Sequence, residues 1–163
     1  MRLYLPDEQH THSLGRWLAS RVSGGHVLSL EGPLGAGKTT LLQGLAQGLG
    51  IPARLTSPTF IVFRVLPVTQ SVNPGSGIAQ LVHADAYRIK NPAELVATGF
   101  TEYVGRPDTL TVVEWGDRVK KLLPQDTLQI KLTRGSAKKS TRSGRQVDLP
   151  AALGKPPKDW YKN

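Results

Sequence analysis

The stretch from Glu31 to Thr40, Glu-Gly-Pro-Leu-Gly-Ala-Gly-Lys-Thr-Thr, constrains this chain more than any other. Gly32, Gly37, Lys38 and Thr39 satisfy the P-loop pattern G-x-x-x-x-G-K-[ST]. In that pattern glycines let backbone N–H groups wrap a phosphate, and a lysine adds a point charge. The motif requires a strand before it and a helix after it. His26 to Leu30 is a short apolar run that reads as a buried strand. Beyond Lys38, Leu41, Leu42, Leu45, Ala46 and Leu49 recur at helical spacing, and Gly50 and Pro52 stop the pattern. The helix would aim its free N–H groups and positive dipole end at the ligand. Gly32, Leu34, Gly35, Ala36, Gly37, Lys38, Thr39 and Thr40 are the candidate nucleotide-binding set, for a nucleoside triphosphate.

Two further apolar strands each end on an acid. Ile78 to Asp85 closes on Asp85, and Thr109 to Val113 is followed by Glu114, Trp115 and Gly116. Ligands collect at the carboxyl ends of strands in open α/β sheets, and a metal-binding carboxylate sits there in phosphoryl-transfer sites. Taken with the P-loop, the pair predicts a magnesium–nucleotide site with Thr39, Asp85 and Glu114 as metal candidates and Lys38, Asp85 and Glu114 as catalytic candidates. Glu114 would serve the metal or the attacking water. Trp115 would either stack on a base or ribose or simply pack. Thr56 to Phe60 is held extended by Pro58, and Thr59 there either satisfies a turn or reaches the metal or terminal phosphate.

Composition narrows the classes. At 163 residues and 39% hydrophobic, the chain fits one folded domain. No apolar run approaches the roughly 20 residues of a membrane span, and the N-terminus lacks a signal-peptide apolar region, so a soluble, cytoplasmic protein is expected. Zero cysteines exclude disulfides, thiolate metal sites and a cysteine nucleophile. The net charge of +9 is uneven: residues 1–130 carry 12 Lys/Arg against 10 Asp/Glu, and residues 131–163 carry 9 against 2. That asymmetry suits an anionic partner, RNA or an acidic protein face, or a solvated tail.

The remaining elements follow from pattern. Asp7 is placed to cap a helix running to about Val22, ended by Gly24-Gly25; His10 and His12, two apart, would not share its face. A strand is expected over 61–65, a flexible hairpin connection over 67–77, a short helix from Pro92 to Thr98, another over 118–123, and a half-exposed strand from Thr127 to Thr133. A basic loop from Arg134 to Arg145 leads into Gln146 to Leu149, and fixed structure is expected to lapse from Pro150 apart from a Trp160-Tyr161 contact. The fold class is therefore α/β: a single domain, 1–149, with a central, mainly parallel sheet flanked by helices and a β-hairpin region added near the C-terminus, then a basic tail, 150–163.

The P-loop at 32–40, Ser-Pro-Thr-Phe at 57–60, His83-Ala84-Asp85-Ala86-Tyr87-Arg88 and Glu114-Trp115 stand in the order and spacing of the bacterial TsaE family, which the chain resembles from its first helix to about Leu149. The resemblance implies a P-loop NTPase-like fold and an ATPase of tRNA threonylcarbamoyladenosine biosynthesis. Such a protein would work with TsaD and TsaB rather than transfer the group itself, and would meet tRNA indirectly or through the basic C-terminal region. ATP and Mg²⁺ are the implied cofactors. Lys38 and Thr39 would bind phosphate and magnesium, Thr59 would lie in a switch-like segment, and Asp85 and Glu114 would be the functional acids. One departure is visible: the family usually has Asp where this chain has Pro33, which removes a charge and an N–H from the loop. Two other readings stand beside this one, a P-loop small-molecule kinase and a non-catalytic RNA- or protein-binding module using the tail. A GTPase is disfavoured by the lack of an Asn-Lys-x-Asp motif. Arg88 is the arginine nearest the site in sequence, and no cis arginine finger is identifiable.

Overall fold

The computed structural model describes residues 1–52, 62–69, 71–135 and 144–159. Ten regular elements follow one another as β1 (Arg2–Leu5), α1 (Glu8–Ala19), β2 (Val27–Glu31), α2 (Lys38–Gly48), β3 (Phe63–Pro67), β4 (Gln80–Asp85), α3 (Pro92–Ala97), β5 (Thr109–Glu114), β6 (Leu128–Arg134) and β7 (Arg145–Asp148). The strands form one seven-stranded sheet in the order β1-β7-β6-β2-β5-β4-β3. Its centre, β6-β2-β5-β4, is parallel. Both flanks are antiparallel, β3 on β4 on one side and β7 on β6 then β1 on β7 on the other. The parallel character expected for the sheet is thus confined to the middle four strands, and the expected C-terminal hairpin is β6–β7.

Strand alternation sorts the core into two faces. Leu28 and Leu30 of β2, Leu81 of β4 and Leu110 and Val112 of β5 join a cluster with Leu14 and Leu18 of α1 and Leu41, Leu42 and Leu45 of α2. Val82, Ala84 and Val113 join a second cluster with Leu95 of α3, Phe100 and Val119. Helices therefore cover both faces. Fixing the parity of Leu81 and Val112 also fixes that of His83, Asp85 and Glu114, which must point towards α2.

The two long helices approach closely because their contact is lined with glycine. A Cβ at Gly15 would overlap the Leu41 carbonyl oxygen, one at Gly44 would overlap that of His12, and one at Gly48 would lie 2.6 Å from Ala19 Cβ. Asp7 caps α1, its carboxylate accepting from His10 N at 2.8 Å.

Several elements differ from the sequence pattern. α1 ends at Ala19 with Ser20 as its cap rather than continuing to Val22, although Val22 stays buried. β1 is too short and too exposed for the sequence pattern to mark it; it is held against β7, with Leu5 buried. The segment after Gly116 forms a 3-10 stretch, Gly116–Leu122, broken at Val119, rather than a short helix over 118–123. The connection after β3, expected to be flexible, is tied down by Val72 N donating to Gly48 O and by Gly24 N donating to Ser76 O at the 3-10 turn Pro74–Ser76. Ala151–Leu153 form a 3-10 turn with Leu153 buried in the main core, and Arg21 Nε donates to Leu153 O at 3.0 Å. Order thus extends past Pro150, because one leucine finds an apolar socket there. Thr56 to Phe60, Trp160 and Tyr161 lie outside the described residues.

Candidate nucleotide site

The turn from β2 into α2 carries the phosphate loop. Gly32 and Gly37 have positive φ, +133° and +99°, and Gly37 is the N-cap of α2. Glycine adopts such angles without the strain a side chain would bring. At Pro33, whose lack of an N–H was the one visible departure, the carbonyl accepts from Ala36 N at 3.2 Å and from Lys38 Nζ at 3.0 Å. Proline keeps its acceptor, and the loop uses it.

Lys38 is 4% exposed, and its ammonium also donates to Gly32 O at 2.8 Å. Its Nζ stands 3.9 Å from the centre of the Trp115 ring. Burial pulls the Lys38 pKa below the usual lysine value, opposed by the charges of Glu114, Asp85 and Asp117. Two of the three ammonium donors are held by loop carbonyls, which fixes the charge in place while leaving a third for a ligand.

The two strand-end acids face this lysine. Asp85 and Glu114 are Cα partners at the ends of the neighbouring parallel strands β4 and β5. Glu114 is buried and held at both oxygens: Thr39 Oγ1 donates to Oε2 at 2.9 Å, and His83 Nε2 lies 3.1 Å from Oε1. Where Glu114 is a carboxylate it only accepts, so the contact takes its proton from His83 Nε2. Among the described residues nothing hydrogen-bonds His83 Nδ1. Asp85 is more open and accepts from Tyr87 N at 2.9 Å.

Trp115 has φ +59°, the one positive φ outside glycine among the described residues. A bulky residue in that region is strained by about 1–3 kcal/mol, and such strain collects at functional sites. The conformation turns the indole back over Lys38. Tyr87 stacks obliquely on it at 5.0 Å, and the Arg118 guanidinium lies 5.4 Å from both rings and donates to Tyr87 O.

Lys38, Asp85, Glu114, Tyr87 and Trp115 line one cavity of about 280 Å³, with His83 and Arg118 outside its lining. Gly35, Gly37, Lys38, Thr39 and Thr40 form its floor, with Leu34 at the lip. Asp85, Glu114, Tyr87 and Trp115 form the strand-end wall, and Arg145 closes the side towards β7. Of the sequence-derived candidates, Leu34, Gly35, Gly37, Lys38, Thr39, Thr40, Asp85, Glu114 and Trp115 are brought together here. Gly32 and Ala36 shape the loop from behind, Ala36 fully buried, and Thr59 lies outside the described residues. The pattern missed His83, Tyr87, Arg118 and Arg145 as members of the site. A polar residue two before Asp85 in an apolar strand was a legible sign for His83; nothing in the spacing marked Arg145.

Among the described residues no three His, Asp or Glu side chains group closely enough to hold a metal by themselves. The donor set does suit Mg²⁺, which keeps several waters and binds through one or two protein oxygens plus phosphate. Thr39 Oγ1 and Glu114 Oε2 are adjacent hard oxygen donors of that type.

A family model described as threonylcarbamoyl adenosine biosynthesis protein TsaE matches residues 5–144. The chain is 40% identical to the tRNA threonylcarbamoyladenosine biosynthesis protein TsaE of Streptomyces coelicolor, over 74% of this chain and 77% of that protein. It is 36% identical to the Bacillus subtilis protein of the same name, over 77% and 73%, and 36% identical to that of Treponema pallidum, over 81% and 90%. In structure it resembles the crystal structure of Bacillus subtilis YdiB with a TM-score of 0.63 at 28% identity, covering 90% of this chain and 82% of that one. No helix among the described residues is long and apolar enough to cross a membrane.

Proposed function

This chain belongs to the TsaE family of tRNA threonylcarbamoyladenosine biosynthesis, and we propose that it serves there as an ATP-binding and ATP-hydrolysing component acting with TsaD and TsaB. The single observation that carries the reading is the bridge from Thr39 Oγ1 to the buried Glu114 carboxylate at 2.9 Å. It sets the first hydroxyl of α2 and the acid of β5 side by side, next to Lys38. On this reading the sheet is a P-loop NTPase-like fold, 1–149 is the ATPase domain, and the basic tail from 150 is anchored by Leu153.

Each residue has a task that its surroundings suit. Backbone N–H groups from Gly35 to Thr39 and the α2 N-terminus bind the phosphate chain. Lys38, held by two loop carbonyls, places its charge against the β- and γ-phosphates. Thr39, Glu114 and Asp85 would present oxygens for Mg²⁺. Bound there, Mg²⁺ would supply positive charge against the negative charge that develops on the phosphate chain. Glu114, oriented by His83, also accepts from a water placed in line with the γ-phosphorus. The bond from that phosphorus to the β–γ bridging oxygen breaks as the water oxygen attacks, giving ADP and phosphate. Trp115 and Tyr87 offer an aromatic wall for the base or ribose.

Hydrolysis by the chain alone is expected to be slow, with TsaD and TsaB supplying what the isolated site lacks. tRNA would be met through those partners or the basic C-terminal residues. ATP turnover with and without a TsaD–TsaB pair tests this: the pair should raise the rate at least tenfold. Unaided turnover at tens per second, unchanged by the pair, would overturn partner dependence.

A further inference from the structure

We infer that Arg145, supported by Arg134, is a built-in cationic clamp on the phosphate chain of the nucleotide. The inference rests on the ATP-site reading above and assigns it residues outside the P-loop motif.

Register is the first argument. Arg134 ends β6, Arg145 begins β7, and the two are Cα partners across the antiparallel pair. Residues directly opposite in an antiparallel pair share a face, and like charges there repel. An anion at that edge is attracted by both guanidinium groups.

Reach is the second. Arg134 Nη2 lies 3.0 Å from where a Cβ on Gly35 would sit and 3.4 Å from Leu34 O. Arg145 comes closer to the floor of the site: its Nε lies 2.5 Å and its Cδ 2.9 Å from the Cβ position of Gly37. The space a side chain at 37 would take is filled by the arginine. Arg145 lines the same cavity as Lys38 and Glu114. The hairpin β6–β7 thus folds two guanidinium groups over the phosphate loop from the side opposite the acids.

Charge is the third. Within the cavity Lys38 faces Asp85 and Glu114, so the lysine alone is outweighed before any ligand arrives. A nucleoside triphosphate adds about four negative charges and Mg²⁺ removes two. Arg145 in the cavity wall, backed by Arg134 outside it, reduces the negative excess that remains. A planar guanidinium also matches phosphate oxygens in pairs, which a second lysine would not.

The test is equilibrium binding of Mg-ATP, ADP and AMP to the full chain and to Arg145→Gln, Arg145→Lys, Arg134→Gln and Lys38→Ala. Arg145→Gln should weaken Mg-ATP at least tenfold and AMP less than twofold, with Arg145→Lys intermediate and Arg134→Gln losing about threefold. A general structural disturbance would instead weaken ATP and AMP equally, and that result overturns the clamp. So does Mg-ATP affinity within twofold of wild type in Arg145→Gln when Lys38→Ala has lost binding. If Lys38→Ala also binds normally, it is the ATP-site reading that fails. Should Arg145→Gln not fold, Arg145→Lys carries the same ATP-against-AMP comparison.

Discussion

At the α1–α2 contact, Gly15 and Gly44 are required for the space a Cβ would fill. At the phosphate loop, Gly32 and Gly37 are required for backbone angles, φ +133° and +99°, that other residues resist. The first region is bounded by packing and has little electrostatic content. The second gathers a buried lysine, a buried glutamate, a buried histidine and a strained tryptophan at one end of the sheet. The helix contact stabilises the fold, and the loop region draws on that stability to hold charges and strain in place for a ligand. Substitutions in the two regions should therefore part company: one class unfolds the chain, the other leaves it folded and disarms it.

The largest effect is expected at the helix contact. Gly44→Ala must push α1 away from α2 along rigid backbone, and should lower stability by about 3 kcal/mol in urea unfolding. A loss under about 1 kcal/mol would contradict the close approach. His83→Leu tests the border between the regions. It removes one of the two groups holding the buried Glu114 and should cost about 2 kcal/mol, with ATP hydrolysis falling further than ATP affinity.

Lys38→Met should go the other way. Burial already disfavours the charged form, so an apolar side chain of similar reach should raise the Tm of the nucleotide-free chain while ATP binding is lost. A lower Tm would show the ammonium to be a structural strut rather than a group held for a ligand. The smallest effect is at Asp7, half-exposed at the start of α1. The His10 N–H, then the His10 side chain, hold its pKa below the usual carboxylate value. Its stabilisation is present above pH about 4 and is lost as pH falls through the lower folded value. Asp7→Ala should cost about 0.5 kcal/mol at neutral pH, and the gap to wild type should close in acid.

Much of this molecule was legible in its sequence, and the exceptions share a cause. The β2–loop–α2 unit, β4 and β5 ending on acids, and the short α3 with its Pro92 start all follow local rules of period, capping and breaking. So does the convergence of Asp85 and Glu114, because period-two strands ending in register bring terminal residues side by side. What escaped depends on contacts distant in sequence. β1 is held by its pairing with β7, formed from the other end of the chain. The early stop of α1 at Ala19 follows from Ser20 capping, a choice that apolar periodicity does not record. Arg145 enters the site only because β7 folds back along β6, and Trp115 turns over Lys38 through a positive φ that no residue pattern announces.

The central claim, that the acid ending β5 works on a nucleotide bound at the phosphate loop, is tested most directly by Glu114→Gln. The amide keeps an acceptor for His83 and a partner for Thr39, so the fold and the pocket should persist. ATP turnover in the presence of TsaD and TsaB should fall at least a hundredfold, much further than ATP affinity falls. Turnover that survives the substitution would contradict the account.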